Sequence, residues 1–120
     1  NVPIDTLMTR IEDAVMAGYG VCWEGDVSNK GFSFKSGIAS LNKRNNHITQ
    51  TERQRAFETF KTTDDHCMEI VGIAHDSEGT KYFICKNSWG TSNPYGGLLY
   101  MSFEYARLNT IAVVMKKQIQ

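Results

Sequence analysis

The chain has 120 residues, of which 41% are hydrophobic and 22% charged, a balance typical of one globular domain rather than a disordered segment. Thirteen basic residues balance thirteen acidic ones, so no excess of charge favours nucleic acid or an anionic membrane as a partner. No apolar run approaches the roughly 18 residues that a membrane-spanning helix requires. The start, Asn1-Val2-Pro3, lacks an initiating Met and signal-peptide features, and we expect a fragment, a processed chain or a trimmed one.

The first third of the chain predicts an amphipathic helix and then a buried strand. Apolar residues recur at helical spacing and Gly18 is a typical stop signal, so a helix is expected over roughly residues 4–17. The run 19–23 is predicted to be a buried strand. Residues 26–46 are polar and glycine-bearing, and we expect a long loop there with at most one short strand. A calcium-loop echo beginning at Asp26 lacks the required oxygen ligands and is rejected.

The second half begins with a helix and a hairpin. Thr49 and Glu52 stand at the spacing of a capping box, which starts a short helix. Residues 67–74 and 81–86 are rich in β-forming side chains. The polar stretch 76–80 between them has the composition of a hairpin turn.

The remaining elements complete a small mixed fold. Strands are expected at 98–102 and 110–115, with one helical turn at 103–107. The sequence patterns therefore predict two helices and about five or six short strands. Strands that follow one another favour an α+β fold with an antiparallel sheet curling toward a barrel, in a single domain 1–120.

The three cysteines, Cys22, Cys67 and Cys85, have neither disulfide-scaffold nor zinc-ligand spacing. All three lie in apolar, strand-like runs and are expected to be buried free thiols. Neither Cys22 nor Cys85 has the turn, helix start or neighbouring cation that activates a nucleophile, and the Cys67 thiol is expected to point away from the adjacent His66 ring. We expect no metal and no cofactor. A different Cys-His hydrolase that uses Cys22 stays open, provided that its sulfur lies close to the ring of His66.

His66 and Asn87 are the candidate catalytic pair. His66 begins one strand of the predicted hairpin and Asn87 ends the other. An Asn oxygen can accept an imidazole N–H and fix its tautomer without adding charge, which suits a thiolate–imidazolium pair. Trp89 follows two residues later and could cover this contact. A structural histidine beside a turn asparagine is the simpler alternative; the other histidines, His47 and His75, are expected to be solvated.

Two segments resemble the second half of papain-like cysteine peptidases. They are residues 65–73, DHCMEIVGI, and residues 82–90, YFICKNSWG. In that family an Asp-His strand carries the catalytic His and a Lys-Asn-Ser-Trp-Gly segment carries the Asn that orients it. The stretch 20–32, GVCWEGDVSNKGF, is similar to the bleomycin hydrolase and aminopeptidase C branch of the family.

The resemblance implies a papain-like fold, of which this chain is the C-terminal, antiparallel β-barrel-like half with two helices. It implies that His66 is the general base and acid, that Asn87 orients it and that Trp89 shields it. It also implies that Asp65 and Cys67 contribute to substrate binding. The nucleophilic Cys and an oxyanion-hole Gln belong to the N-terminal half of the family, which is expected to be absent here, so the chain alone is expected to be inactive.

The function implied is that of a cysteine-type, aminopeptidase-like peptidase that cleaves peptide substrates through a thioester acyl-enzyme. The N-terminal half of the same protein is the expected partner, and a homo-oligomer stays open. In this branch of the family, a C-terminal arm reaches into the cleft and restricts cleavage to the N-terminal end of peptides. Because the chain ends with residues 117–120, that arm is expected to be short or missing, so exopeptidase and endopeptidase action both stay open. The rival is a non-catalytic papain-fold binding or interaction module without a nucleophile. A cytoplasmic location is favoured, although a targeting segment preceding residue 1 would direct the protein to the periplasm or outside.

Overall fold

Three helices and seven strands are formed by the residues that the computed structural model describes, which are 1–41, 47–59, 61–63 and 65–116. In chain order they are α1 Ile4–Met16, β1 Val21–Gly25, β2 Phe32–Ser33, β3 Ile38–Ala39, α2 Gln50–Glu58, β4 His66–His75, β5 Lys81–Lys86, β6 Leu98–Ser102, α3 Phe103–Asn109 and β7 Thr110–Val114. The α+β class expected from the sequence is confirmed. None of the described helices has both the length and the apolarity that a bilayer crossing needs.

The expected counts of two helices and five or six strands are wrong. The third helix is α3, where only a helical turn was expected. It continues because the Ser102 side chain accepts a hydrogen bond from the backbone N–H of Tyr105 and caps its first turn. The additional strands are β2 and β3, two residues each, within the stretch expected to be a loop. The last part of that stretch, 42–46, lies outside the described residues.

All seven strands belong to one half-barrel sheet with the order β2-β3-β6-β5-β4-β1-β7. Neighbouring strands are antiparallel except β3 and β6, which are parallel with Ile38 opposite Tyr100. The predicted hairpin of β4 and β5 is confirmed, with His75 opposite Lys81 beside the turn. In that turn the Asp76 carboxylate accepts hydrogen bonds from the N–H groups of Glu78 and Thr80, both at 2.9 Å.

One face of the sheet packs against α1 and forms the core. The buried side chains of α1 recur every three or four residues and are Ile4, Met8, Ile11 and Ala14. Trp23 on β1 is fully buried, and its indole N–H donates to the Thr110 hydroxyl at 2.6 Å. Because a buried indole N–H without an acceptor would cost free energy, this bond fixes how β1 and β7 meet.

The expectation that all three cysteines are buried is wrong for two of them. Cys85 is buried, but Cys22 and Cys67 are exposed. Cys22 lies opposite Glu69, and Cys67 lies opposite Glu24, in the pairing of β1 with β4. Successive residues of a strand point to opposite faces, so both thiols lie on the outer face while their neighbours fill the core. Burial raises the pKa of the Cys85 thiol.

Candidate active site

The hairpin of β4 and β5 brings His66 and Asn87 into contact. The imidazole Nε2 of His66 lies 2.9 Å from the side-chain oxygen of Asn87. His66 is the first residue of β4, and Asn87 directly follows the last residue of β5. Because Glu69 lies opposite Lys86, the start of β4 and the end of β5 lie side by side. The contact between these two side chains that the sequence predicted is therefore observed.

The orientation of the Asn87 amide is set by its neighbour Ser88. The backbone N–H of Ser88 donates to the Asn87 oxygen at 2.8 Å. If the amide were flipped, its NH₂ group would face that N–H donor, so the oxygen must take this position. The same oxygen then accepts from Nε2 of His66, which must carry a hydrogen. This tautomer leaves Nδ1 as the basic nitrogen of the ring.

The contact is well shielded on the side of the asparagine. Asn87 is only 7% exposed, and His66 is half-buried. The Asn87 amide nitrogen has no hydrogen-bond partner among the described residues. Because little water reaches this position, the bond from His66 has weak competition and holds the ring more firmly.

Three aromatic side chains lie around the imidazole of His66 or contact the tryptophan that packs on it. The ring centroid of Trp89 lies 4.6 Å from that of His66, with the planes tilted by 41°. Trp89 is 48% exposed and is supported edge-on by Phe32 at 5.7 Å and Phe34 at 5.5 Å. Phe32 also lies 6.5 Å from the His66 ring. The sequence analysis identified Trp89 but missed both phenylalanines, although two aromatics in an otherwise polar stretch were a usable signal.

Asp65 and Cys67 make their contacts away from this pair. The Asp65 carboxylate accepts hydrogen bonds from the N–H of Val27 at 2.9 Å and the hydroxyl of Thr63 at 3.2 Å. The Cys67 sulfur lies 3.5 Å from a carboxylate oxygen of Glu24 on the outer face. The structure thus brings His66, Asn87 and Trp89 together, whereas substrate binding by Asp65 and Cys67 stays a prediction.

The outer face holds an open cleft of about 770 Å³. Its lining includes two thiols and two lysines, namely Cys22, Cys67, Lys86 and Lys116. Asn87 and Ser88 also border it, so the cleft approaches the His66–Asn87 contact from the other side of the hairpin.

None of the three cysteines lies where it could exchange a proton with Nδ1 of His66. Cys22 and Cys67 are on the outer face of the sheet, opposite to the buried face that His66 shares with Met68. Cys85 lies opposite Ile70, four residues along β4 from His66, or roughly 13 Å at the usual rise of a strand. The alternative of a nucleophilic Cys22 therefore has no geometric support. Within the described ranges, no three His, Cys, Asp or Glu side chains are placed to hold a metal ion.

Comparison with known proteins gives a family for the whole chain. The model of the Peptidase C1-like family matches residues 1–120. Among curated proteins, fruit bromelain of Ananas comosus is 46% identical over 41 residues, covering 34% of this chain and 12% of bromelain. The cysteine endopeptidase Rep1 of Oryza sativa subsp. japonica is 46% identical over 37 residues, covering 31% and 10% of the two chains. The chain therefore matches only a small part of these relatives.

Solved structures share its fold at low identity. PepW from Lactobacillus rhamnosis HN001 superposes with a TM-score of 0.73 at 19% identity, covering 94% of this chain and 26% of PepW. Bromelain from Ananas comosus, bound to the inhibitor E64, has a TM-score of 0.55 at 18% identity over 92% of this chain and 46% of its own. The proform of the ragweed pollen cysteine protease Amb a 11 has a TM-score of 0.56 at 18% identity, covering 90% of this chain and 29% of that protease. The papain-like fold predicted from the sequence is confirmed.

Proposed function

The chain belongs to the Peptidase C1-like family, and on this premise we propose that it supplies the His and Asn of a Cys-His-Asn peptidase site. His66 is the general base and acid, and Asn87 orients it. The observation that carries the proposal is the 2.9 Å contact from Nε2 to the Asn87 oxygen, with that oxygen fixed by Ser88. Nδ1 is then the nitrogen that exchanges protons with the reacting groups.

The nucleophilic thiol comes from outside these residues, in an N-terminal half of the same protein. Two observations support this part of the proposal. The cysteines of the chain lie on the outer face or in the core, away from Nδ1. The chain also spans only 26% of PepW and 46% of bromelain, so proteins of this fold have room for a further half.

The reaction follows from a basic Nδ1 beside a thiol. Nδ1 takes the thiol proton, and the thiolate attacks the carbonyl carbon of the peptide to form a tetrahedral intermediate. Nδ1–H then gives its proton to the departing amine, the C–N bond breaks and a thioester remains. Water, deprotonated by Nδ1, attacks the thioester, and the protonated thiol is restored as the acid product leaves. Asn87 holds the ring through both halves of the cycle.

We propose peptides as substrates, with cleavage from the amino end. The support is the similarity of residues 20–32 to the bleomycin hydrolase and aminopeptidase C branch. Aminoacyl-coumarin substrates with a free amine, compared with the same compounds acetylated on that amine, separate the two modes of cleavage. Faster hydrolysis of the acetylated compounds would show endopeptidase action instead.

A second candidate is a non-catalytic binding module of the same fold. It is favoured by the absence of any suitably placed thiol among the described residues. The two candidates differ in one measurement, because a catalytic protein would be labelled by a thiol-reactive epoxide and would lose peptidase activity on labelling. A full-length protein that neither reacts nor hydrolyses peptides would support the binding module.

The central test replaces His66 in the full-length protein that contains this chain. His66→Ala removes the proton carrier, and we expect kcat/KM to fall by about 10³-fold or more. His75→Ala is the matched control, because His75 is an exposed histidine at the other end of the same strand. Peptide hydrolysis that survives in the His66 variant would refute the proposed role.

A further inference from the structure

We propose that Asp26 is a positioning residue for His66, acting through the main chain that leads into β4. This inference rests on the proposed function of His66. Asp26 directly follows β1, whereas His66 begins β4, and Gly25 lies opposite His66 in the pairing of these strands. A carboxylate at this corner can therefore fix the position from which the His66 side chain extends.

The Asp26 carboxylate is buried and fully used. Its side chain is 1% exposed. One oxygen accepts the N–H of Ser28 at 2.7 Å and the hydroxyl of Ser28 at 2.6 Å. The other oxygen accepts the N–H of Thr63 at 3.0 Å. Because burying a carboxylate is costly unless it is hydrogen-bonded, each of these donors is needed.

The backbone of Asp26 is anchored to α3, so the carboxylate acts from a fixed point. Its N–H donates to the carbonyl of Asn109 at 3.0 Å. Its own carbonyl accepts the buried hydroxyl of Tyr105 at 2.8 Å. Thr63 is thereby connected, through one carboxylate, to a helix of the core.

The same short segment is held at a second point next to His66. The N–H of Asp65 donates to the carbonyl of Gly25 at 3.1 Å. The N–H of Val27 donates to the Asp65 carboxylate at 2.9 Å. Thr63 and Asp65, which both precede His66, are thus attached to the end of β1 at two points. Removing the Asp26 carboxylate breaks the first of these attachments, which allows the start of β4 to shift.

The ionised form of Asp26 is the form that these contacts require. Burial alone would raise its pKa, but the hydrogen bonds from Ser28 and Thr63, together with the contact to the Asp65 side chain, outweigh burial, and the net pKa is below the ordinary value. The carboxylate therefore accepts all three bonds at neutral pH. An amide in the same place would turn an NH₂ group toward either Ser28 or Thr63, and one main-chain donor would lose its acceptor.

The experiment compares Asp26→Asn with Asp76→Asn in the full-length protein. Asp76 is a matched control, because its carboxylate also accepts main-chain N–H groups, but in the turn at the far end of the hairpin. The first readout is the nitrogen and proton NMR signal of His66 Nε2–H. We expect this proton to exchange with water roughly tenfold faster in the Asp26 variant, since the ring is held less firmly toward Asn87, and to be unchanged in the Asp76 variant.

The second readout is peptidase kinetics. We expect kcat to fall roughly tenfold in Asp26→Asn with KM nearly unchanged, because the proton carrier is displaced while substrate contacts remain. Should Asp26→Asn not fold, Ser28→Ala removes only the 2.6 Å bond and is expected to change the Nε2–H exchange in the same direction by less. A folded Asp26 variant with wild-type exchange and wild-type kcat would overturn the proposal.

The two proposals fail in different ways. If the wild-type full-length protein hydrolyses no peptide, the proposed function is wrong. The NMR comparison still decides whether Asp26 positions the His66 ring, since it needs no activity. An Asp26 variant that is as stable as Asp76→Asn but loses ring protection would show positioning rather than general destabilisation.

Discussion

At the scale of single residues, the Asn87 oxygen is the central atom of the site. It accepts from Nε2 of His66 and from the N–H of Ser88. Two donors on one oxygen leave no rotational freedom to the amide, so the imidazole tautomer is set by the fold rather than by the substrate. An aspartate could accept both bonds but would add a negative charge beside the imidazole.

The buried hydrogen bond of Trp23 gives a test at the same scale. Thr110→Val keeps the shape of the side chain but removes the acceptor of the indole N–H. We expect the free energy of unfolding to fall by about 1–3 kcal/mol, because the buried donor is left unsatisfied. Urea unfolding followed by circular dichroism measures this change. Thr51→Val, at an exposed position of α2, is the control, and equal stabilities of the two variants would contradict the prediction.

The sequence predicted which residues form the candidate site better than it predicted which residues are exposed. His66 and Asn87 could be paired from sequence because the turn at Asp76 predicts that β4 and β5 form one hairpin, whereas the shift in strand register within that hairpin could not be predicted. The exposure of Cys22 was predicted wrongly because its neighbours are also apolar, so the residue types along β1 do not show the alternation of buried and exposed positions. The donor from Ser88 could not be predicted, since amide orientation depends on backbone geometry.

At the scale of elements, the strands β2 and β3 support the site from one side. They are two residues each and pair with one another, with Ser33 opposite Ile38. Strands this short escape periodicity arguments, which need several alternating residues. The pair contributes to the site because Phe32 in β2, and Phe34 directly after that strand, contact Trp89. The helix α3 was underestimated for a different reason, since its cap residue Ser102 also ends a strand.

The support of Trp89 by Phe34 can be tested by fluorescence. Phe34→Ala removes an edge-to-face contact of 5.5 Å between ring centroids, and we expect a loss of about 0.5–1.5 kcal/mol in stability. Trp89 is already half-exposed, so it should become more accessible to acrylamide, whereas the fully buried Trp23 should not. Phe57→Ala is the control, because Phe57 is 53% exposed on α2. Unchanged quenching in Phe34→Ala would contradict this support.

At the scale of the whole molecule, the register of the sheet determines which groups share a face. The pairing of β1 with β4 places two carboxylates and two thiols together on the outer face, namely Glu24, Glu69, Cys22 and Cys67. The buried face carries His66 at its margin. The sheet therefore separates Cys22 and Cys67 from the His66 imidazole, and the buried Cys85 lies roughly 13 Å away along the hairpin, which is why a nucleophile from elsewhere is proposed.

Stability against acid is a property of the whole molecule that two carboxylates affect. Hydrogen bonds from backbone N–H groups lower the pKa of Asp76, and at Asp26 the bonds from Ser28 and Thr63 outweigh burial and lower its pKa too. Each group therefore stabilises the fold above its unfolded pKa of 3.8 and loses that contribution as the pH falls through the lower folded value.

We expect stability to be level near neutral pH and to decline below about pH 4, by the linkage of proton binding to unfolding. Asp26→Asn should be less stable at neutral pH and should show a shallower decline, because one of the groups that take up a proton on unfolding is gone. Thermal unfolding at a series of pH values measures both effects. A decline as steep as that of the wild type would argue against a lowered pKa for Asp26.

The place of β1 between β4 and β7 has a consequence for how the protein is made. During synthesis β1 emerges early, yet both of its partners follow much later in the chain. Its core residues Val21 and Trp23 stay uncovered until β4 and β7 have been translated, whereas His66 and Asn87 are only 21 positions apart and can meet within one local hairpin. Because local contacts tend to form before distant ones, we expect the β4–β5 hairpin with His66 and Asn87 to form before β1 is paired on both sides. We therefore expect the nascent chain to be most prone to aggregation while β1 has no neighbours.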